Sequence, residues 1–270
     1  MKTKEELLKL KIQNLTEGYN ALLNGLGPNH FSTLMAEYNL GALYFYEAKD
    51  KNKGREYLRN SYYGLLDHED PLTLDPWTVG FLYVLTLDYD EKEILYVSKA
   101  LIDKYPQMLR KDTDRYLMLC EFIMCYYTSN NYFDESDDFS LEIFPTIKPY
   151  LEASDPRYSL YLFRFCLALS NSSSNAKIKK ILKQEKEENT FNGKPVYEIF
   201  DSMLKLISLI IFNLKDENFH QRVAKEINKI IESGEFIEYS KKEILDLITA
   251  LPVLDDNREL ILEAWENTIE

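Results

Sequence analysis

Three kinds of residue are scarce in this 270-residue chain, and each scarcity removes a class of protein. Nine glycines and nine prolines interrupt the chain, which is too little turn punctuation for a β-sheet protein of this length. The three cysteines, Cys120, Cys125 and Cys166, lie in apolar runs and are too few for a disulfide scaffold. We therefore expect a mostly helical protein with reduced, buried thiols.

Histidine is also rare, and the familiar catalytic motifs are missing. The chain has three histidines, His30, His68 and His220, and none has a sequence neighbour at metal-ligand or catalytic spacing. No H-E-x-x-H, C-x-x-C, G-x-S-x-G or glycine-rich phosphate loop occurs. We predict no catalytic residue, no metal ion and no organic cofactor, so the chain is interpreted as a non-enzyme unless distant polar residues converge in space.

Long apolar runs are lacking as well. The most apolar stretch, Met203 to Leu214, is twelve residues long and contains Lys205. A helix of that length spans about 18 Å, whereas the hydrocarbon core of a bilayer is about 30 Å thick. The N-terminus opens directly into a charged amphipathic helix without a signal-peptide core. A cytoplasmic protein with no membrane partner is predicted.

Positive charge is in deficit, with 32 lysines and arginines against 45 acidic residues and a net charge of −13. The densest acidic segments are 66–93, 128–155 and 252–270. This field repels nucleic acid and attracts a basic protein, although acidic loops also keep a protein soluble. The lysine-rich stretch 177–186 lacks arginine and interleaved aromatics, so it is interpreted as a solvated helix face. No nucleic-acid partner is predicted.

Among the residues that are present, the segment from Thr33 to Leu66 is the most informative. Two apolar runs flank a charged break, and in each run apolar or small residues recur at spacings of three and four, which places them on one helix face. The pattern predicts an antiparallel helix pair in which Gly41 and Ala42 pack against the helix that begins near Gly54.

Capping and turn signals divide the rest of the chain into similar pieces. They predict about twelve or thirteen helices, and the short turns require neighbouring helices to pack as antiparallel hairpins. The expected fold is all-α, a tetratricopeptide-like α-solenoid forming one helical-repeat domain over residues 1–270. A minor boundary at 171–175 is the alternative. The last four helices are predicted at roughly 196–214, 217–232, 240–251 and 256–269.

The Thr33–Leu66 segment also resembles known families. Leu40-Gly41, then Tyr44, a charged turn and the small residue Gly54 resemble the tetratricopeptide pattern. The run NLGALYFYEAKDKNKGREYLRNSYYGLL, followed by Asp75-Pro76-Trp77 and Phe81-Leu82-Tyr83, resembles the forty-ninth immunity-protein family of bacterial polymorphic-toxin systems over roughly residues 30 to 105. That resemblance implies an all-helical cytoplasmic protein that binds and neutralises a cognate toxin.

The segment 128–155 shows no clear periodicity and is predicted to be an irregular excursion with one short helix near 140–151. Long loops in compact folds are often functional. Here aromatic residues stand directly beside acids, a composition that suits a charge-complementary protein interface, while a solvated loop is the plainer interpretation. The predicted partner-binding residues are Tyr132, Phe133, Asp134, Glu135, Asp137 and Asp138.

Two functions remain open at this point. The first is a non-enzymatic immunity protein that neutralises a cognate toxin, with acidity that suits a basic effector. The second is a tetratricopeptide-like peptide-binding or regulatory adaptor. The sequence does not determine the oligomeric state.

Overall fold

The computed structural model describes residues 3–66, 75–151, 156–172, 175–188, 190–191, 194–195, 198–212, 218–232 and 257–269. These ranges contain thirteen α-helices, a 3-10 turn and one pair of two-residue strands. In chain order the helices are α1 (Lys4–Leu26), α2 (Phe31–Tyr46), α3 (Lys51–Leu66), α4 (Pro76–Val84), α5 (Lys92–Lys104), α6 (Met108–Lys111), α7 (Thr113–Ser129), α8 (Phe133–Ile147), α9 (Pro156–Ser172), α10 (Asn175–Glu188), α11 (Glu198–Phe212), α12 (Phe219–Glu232) and α13 (Arg258–Ile269). The 3-10 turn is Lys148–Tyr150, and the antiparallel strands are β1 (Thr190–Phe191) and β2 (Lys194–Pro195).

The predicted all-α fold class is confirmed, and the helices pack against their neighbours as in a helical repeat. The chain divides into two compact units, Met1–Tyr132 and Phe133–Glu270. Helices α1 to α7 belong to the first unit and α8 to α13 to the second. The prediction of a single domain over 1–270 stays a prediction, and the alternative boundary at 171–175 lies inside the second unit.

Capping residues set the helix limits where the sequence indicated them. At the start of α1 the Thr3 hydroxyl accepts a hydrogen bond from the Glu6 amide (3.2 Å), and the Glu6 carboxylate accepts one from the Thr3 amide (2.8 Å). Gly27 ends this helix at φ 87°, a conformation that glycine adopts without strain. Asp75 accepts from the Thr78 amide (2.9 Å) and precedes a proline at the first position of α4.

Helices α2 and α3 approach most closely at two glycines. A Cβ atom at Gly41 would lie 2.6 Å from Leu58 Cγ, and one at Gly54 would lie 3.1 Å from Phe45 Cβ. These distances leave no room for a side chain, so the predicted packing of Gly41 against the helix that contains Gly54 is confirmed. Gly64 makes a comparable approach to Leu34 near the other end of the same helix pair.

The irregular excursion predicted for 128–155 is wrong over most of its length. Helix α7 continues to Ser129, and α8 occupies Phe133–Ile147. The apolar residues of α8 recur at helical spacing on a buried face, and burial of that face offsets the backbone hydrogen bond that Pro145 removes near the end of the helix. The buried apolar residues are Phe139, Ile143, Phe144 and Ile147.

The predictions for the cysteines, for the helix at 240–251 and for membrane spans have different outcomes. The three cysteines form no disulfide, and Cys120 and Cys166 are buried while Cys125 is half-buried. Burial raises the pKa of the Cys166 thiol to about 12, so this sulfur is inert at neutral pH. The helix predicted at 240–251 lies outside the described residues. None of the helices that the structure describes is long and apolar enough to cross a bilayer.

The close contact at Gly41 allows the effect of a substitution on the free energy of unfolding to be predicted. Replacing Gly41 by alanine forces Leu58 and the two helix backbones to shift, so the free energy of unfolding should fall by about 1–3 kcal/mol. Urea unfolding of purified protein measures this change.

Gly18 provides the matched control. It lies exposed within α1, and a Cβ atom there would meet no atom within 4 Å. Gly18→Ala should therefore raise the free energy of unfolding by roughly 0.5–1 kcal/mol through helix propensity alone. Equal and favourable effects of the two substitutions would contradict the close approach of α2 and α3.

Candidate functional site

The predicted partner-binding residues fall in two different units. Tyr132 is the last residue of the first unit, and Phe133 is the first residue of α8 in the second. Tyr132 follows Asn131, whose φ of 58° turns the chain after α7. The Tyr132 side chain is 45% exposed, which suits an aromatic residue that contacts a partner.

The four predicted acids all lie in the first two turns of α8. Asp134, Glu135 and Asp138 are exposed, whereas Asp137 is half-buried and already interacts within the protein. Asp134 and Glu135 are in the first turn, where negative charge is stabilised by the unpaired amides of a helix N-terminus. Part of this acidity therefore serves the helix, but the three exposed carboxylates remain accessible to a partner.

Tyr132 belongs to a cluster of tyrosines that the sequence analysis did not identify. Its ring centroid lies 6.1 Å from that of Tyr126, and its amide donates to the Tyr127 carbonyl (2.8 Å). A hydrogen bond to Tyr96, with Tyr126 and Tyr132 nearby, raises the pKa of Lys92 on α5. We call Lys92, Tyr96, Tyr126 and Tyr132 the tyrosine cluster.

Within the tyrosine cluster, one ring is buried and supports the others, and two rings are exposed to a partner. Tyr126 is buried, whereas Tyr96 is 57% exposed. The Lys92 ammonium lies 5.3 Å from the Tyr96 ring centroid, a cation–π distance that limits the ring's motion. The i, i+4 spacing of Lys92 and Tyr96 on α5 was the available signal in the sequence.

The acidic segment 66–93 has a different role from the acids of α8. Arg55 on α3 forms an ion pair with Glu91 (2.8 Å) and donates from Nε to the Thr86 carbonyl (2.9 Å). Lys51 pairs with Asp88 at 2.5 Å. These contacts attach the turn between α4 and α5 to helix α3. Asp88 and Glu91 are therefore structural.

A polar groove of about 580 Å³ lies in the first unit between α1, α2 and α3. Tyr19, Glu37 and Asn60 lie along it, together with the exposed pair Arg59 and Tyr63. The Arg59 guanidinium stacks 5.2 Å from the Tyr63 ring centroid. The volume is within the range of about 300–1,000 Å³ that is typical of ligand pockets.

Glu37 is the chemically unusual residue of this groove. It is only 4% exposed, and its carboxylate accepts a hydrogen bond from the Tyr19 hydroxyl (3.0 Å) and another from the Asn60 side chain. Burial raises the pKa of Glu37, and the two hydrogen bonds offset part of that rise. The same contact and burial raise the pKa of Tyr19 to about 12. No lysine or arginine in the described part of the chain pairs with Glu37.

Arg59 lies along the same groove but is directed to another acid. Its Nε lies 3.5 Å from Glu93 Oε1, and the Tyr63 hydroxyl donates to that same oxygen at 2.9 Å. Glu93 thus neutralises Arg59 and orients Tyr63. Among the residues that the structure describes, the charge of Glu37 has no counterion.

The histidines have ordinary roles where they are described. His30 accepts a hydrogen bond from the Ser32 amide (3.1 Å) and caps α2. His220 contacts Asn257 at 2.9 Å, and His68 lies outside the described residues. Across the described ranges, no three His, Cys, Asp or Glu residues are grouped so that they could hold a metal ion.

The lysine-rich stretch 177–186 forms part of α10, and its lysines are exposed, in agreement with a solvated face. Two of them, Lys183 and Lys186, also line a groove of about 540 Å³ in the second unit with Lys205 and Arg222. The prediction that the chain has no nucleic-acid partner stays a prediction.

Comparison with known proteins adds no assignment: no family model matches the chain, and no curated protein matches it. The resemblance to the immunity-protein family therefore remains a prediction that depends on the residues of the Thr33–Leu66 segment and the motifs after it.

The buried Glu37 carboxylate makes a prediction about pH and stability. A raised pKa means that the folded protein holds this proton more tightly than the unfolded chain does, so ionisation at pH 7 destabilises the fold. Glu37→Gln keeps the shape and removes the charge. Its free energy of unfolding should exceed that of the parent at pH 7, and the gain should disappear as the pH is lowered below the ordinary glutamate value of 4.5.

The control is Glu56→Gln, which removes an exposed carboxylate of α3 and should change stability little at either pH. Urea unfolding across the pH range measures all three proteins. A Glu37→Gln protein that is less stable than the parent at pH 7 would show that the carboxylate is fully compensated in the fold.

Proposed function

We propose that this protein is a non-enzymatic immunity protein of the bacterial cytoplasm that binds and neutralises a cognate toxin. The proposal combines the family resemblance of the Thr33–Leu66 segment with the surface chemistry of the chain. An immunity protein acts by protein–protein recognition. Its function therefore depends on the residues that contact the toxin.

The tyrosine cluster is the observation that carries the proposal. Exposed tyrosines held by neighbouring side chains lose little conformational entropy on binding and bury a large area, which is why tyrosine is enriched at interfaces. Tyr96 and Tyr132 are both exposed. The Tyr96 ring is held by Lys92, and the Tyr132 ring lies against the buried Tyr126. Rings held in this way can act as anchors for a partner.

The exposed acids of α8 supply the charge that a basic toxin requires. Within the described part of the chain, Asp134, Glu135 and Asp138 have no basic partner comparable to Arg55, which pairs with Glu91. With a net charge of −13, the chain attracts a basic protein over long range, and local carboxylates accelerate the encounter.

A tetratricopeptide-like peptide-binding or regulatory adaptor is the second candidate. The polar groove between α1, α2 and α3 favours it, because a groove of about 580 Å³ with hydrogen-bonding side chains can accept a peptide segment. A partner that binds only through this groove would support the adaptor over the immunity protein.

The two surfaces predict different kinetic effects on toxin binding. Tyr96→Ala and Tyr132→Ala remove buried contact area, so each should speed dissociation from the toxin on the order of tenfold with little change in association. Neutralising Asp134, Glu135 and Asp138 together should instead slow association and flatten its dependence on salt. Surface plasmon resonance with a basic toxin that co-purifies with this protein from its native cell measures both rates.

Matched controls exist for both sets. Tyr46 is 54% exposed at the end of α2, so Tyr46→Ala removes an equally exposed ring from another surface. Neutralising Glu259, Glu263 and Glu266 removes three exposed charges from α13. If the controls and the test variants alter binding to the same extent, or none of them does, the assignment of these two surfaces is wrong.

A further inference from the structure

The Glu37 groove has a chemical property that toxin binding through the tyrosine cluster does not explain. Its buried carboxylate has two neutral hydrogen-bond donors and, in the described ranges, no cation. A glutamine could make hydrogen bonds to Tyr19 and Asn60 without the cost of a buried charge. The fold therefore does not require the negative charge at this position.

The carboxylate also has unused capacity. Two carboxylate oxygens offer about four lone-pair sites, and the Tyr19 hydroxyl and the Asn60 side chain occupy two of them. Because Glu37 lines the groove, a further donor that enters it can reach this carboxylate. A donor that carries positive charge would gain the most, because it also supplies the missing counterion.

Arg59, the cation that lines the groove, is not the counterion of Glu37. Arg59 is neutralised by Glu93 and lies on the Tyr63 ring, so it neither neutralises Glu37 nor leaves an uncompensated positive charge that would repel an entering cation. Its guanidinium, together with Asn60 and the Tyr63 ring, forms a polar wall. These groups can contact the backbone on either side of an inserted residue.

We infer that this groove is a receptor for one cationic side chain, arginine or lysine, of a protein partner, and that the Glu37 carboxylate is the group that binds it. Arginine should bind more tightly than lysine, because its planar fork places two N–H groups on one carboxylate. The overall negative charge of the chain favours a basic protein as the source. The inference does not depend on which partner the tyrosine cluster contacts.

The test uses a short peptide as the probe. Ac-Gly-Gly-Arg-Gly-Gly-NH2 is titrated into the full-length protein and followed by NMR, beside the same peptide with lysine and with citrulline, which keeps the shape of arginine without its charge. Binding of the arginine peptide should exceed that of the citrulline peptide by about tenfold, the loss expected for hydrogen bonds to a charged group. Binding should also weaken as Glu37 becomes protonated at lower pH.

Two variants locate the effect. Glu37→Gln should reduce binding of the arginine peptide to that of the citrulline peptide, whereas Glu56→Gln, which removes an exposed charge from α3, should leave it within about twofold. The comparison of the two peptides on the parent protein remains decisive even if Glu37→Gln does not fold.

Several results would overturn the inference. Equal binding of the arginine and citrulline peptides would remove the role of charge, and unchanged binding by a folded Glu37→Gln protein would remove Glu37 from the site. Binding of free spermidine without binding of the arginine or lysine peptide would assign the groove to a small amine and exclude the protein source. Absence of binding by every probe would refute the receptor.

Discussion

The close approach of α2 and α3 is the constraint on which the first unit depends. Gly41 and Gly54 remove side-chain bulk at one end of the helix pair, and Gly64 removes it near the other. Between these contacts lie Glu37 on α2 and Asn60 on α3, which interact across the pair. If the helices were held a side-chain width further apart, Glu37 would lose this partner. Water would then fill the space between the two helices. The same packing that closes the hairpin therefore buries the carboxylate and creates the groove.

The acidity of the chain serves two purposes that composition alone could not separate. Near residue 91 the acids pair with Arg55 and Lys51 and attach one helical element to the next. On α8 the exposed acids lie near the helix N-terminus and face solvent. Counting charges along the sequence gives both segments the same weight. Only the position of the basic side chains on α3 distinguishes a structural acid from one that is available to a partner.

The sequence predicted the fold class and the central hairpin because their causes are local. Thr3, Asp75 and Gly27 act on adjacent backbone, and the period of three and four residues determines which face of α2 and α3 is buried. The prediction failed for α8, where Pro145 obscured a regular apolar face. It also missed the tyrosine cluster and the Glu37 groove, because each depends on residues from different helices. Tyr19 and Glu37 are 18 positions apart in sequence, and no local pattern connects them.

We propose that this chain acts by stoichiometric binding and not by catalysis. The direct measurement is a titration in which purified protein is added to a fixed amount of the toxin that co-purifies with it, and the remaining toxin activity is recorded. Stoichiometric binding predicts that toxin activity falls linearly to zero at a fixed molar ratio and does not change further with incubation time. Protection by substoichiometric protein that increases with time would indicate an enzyme, and unaltered toxin activity at molar excess would contradict the immunity function.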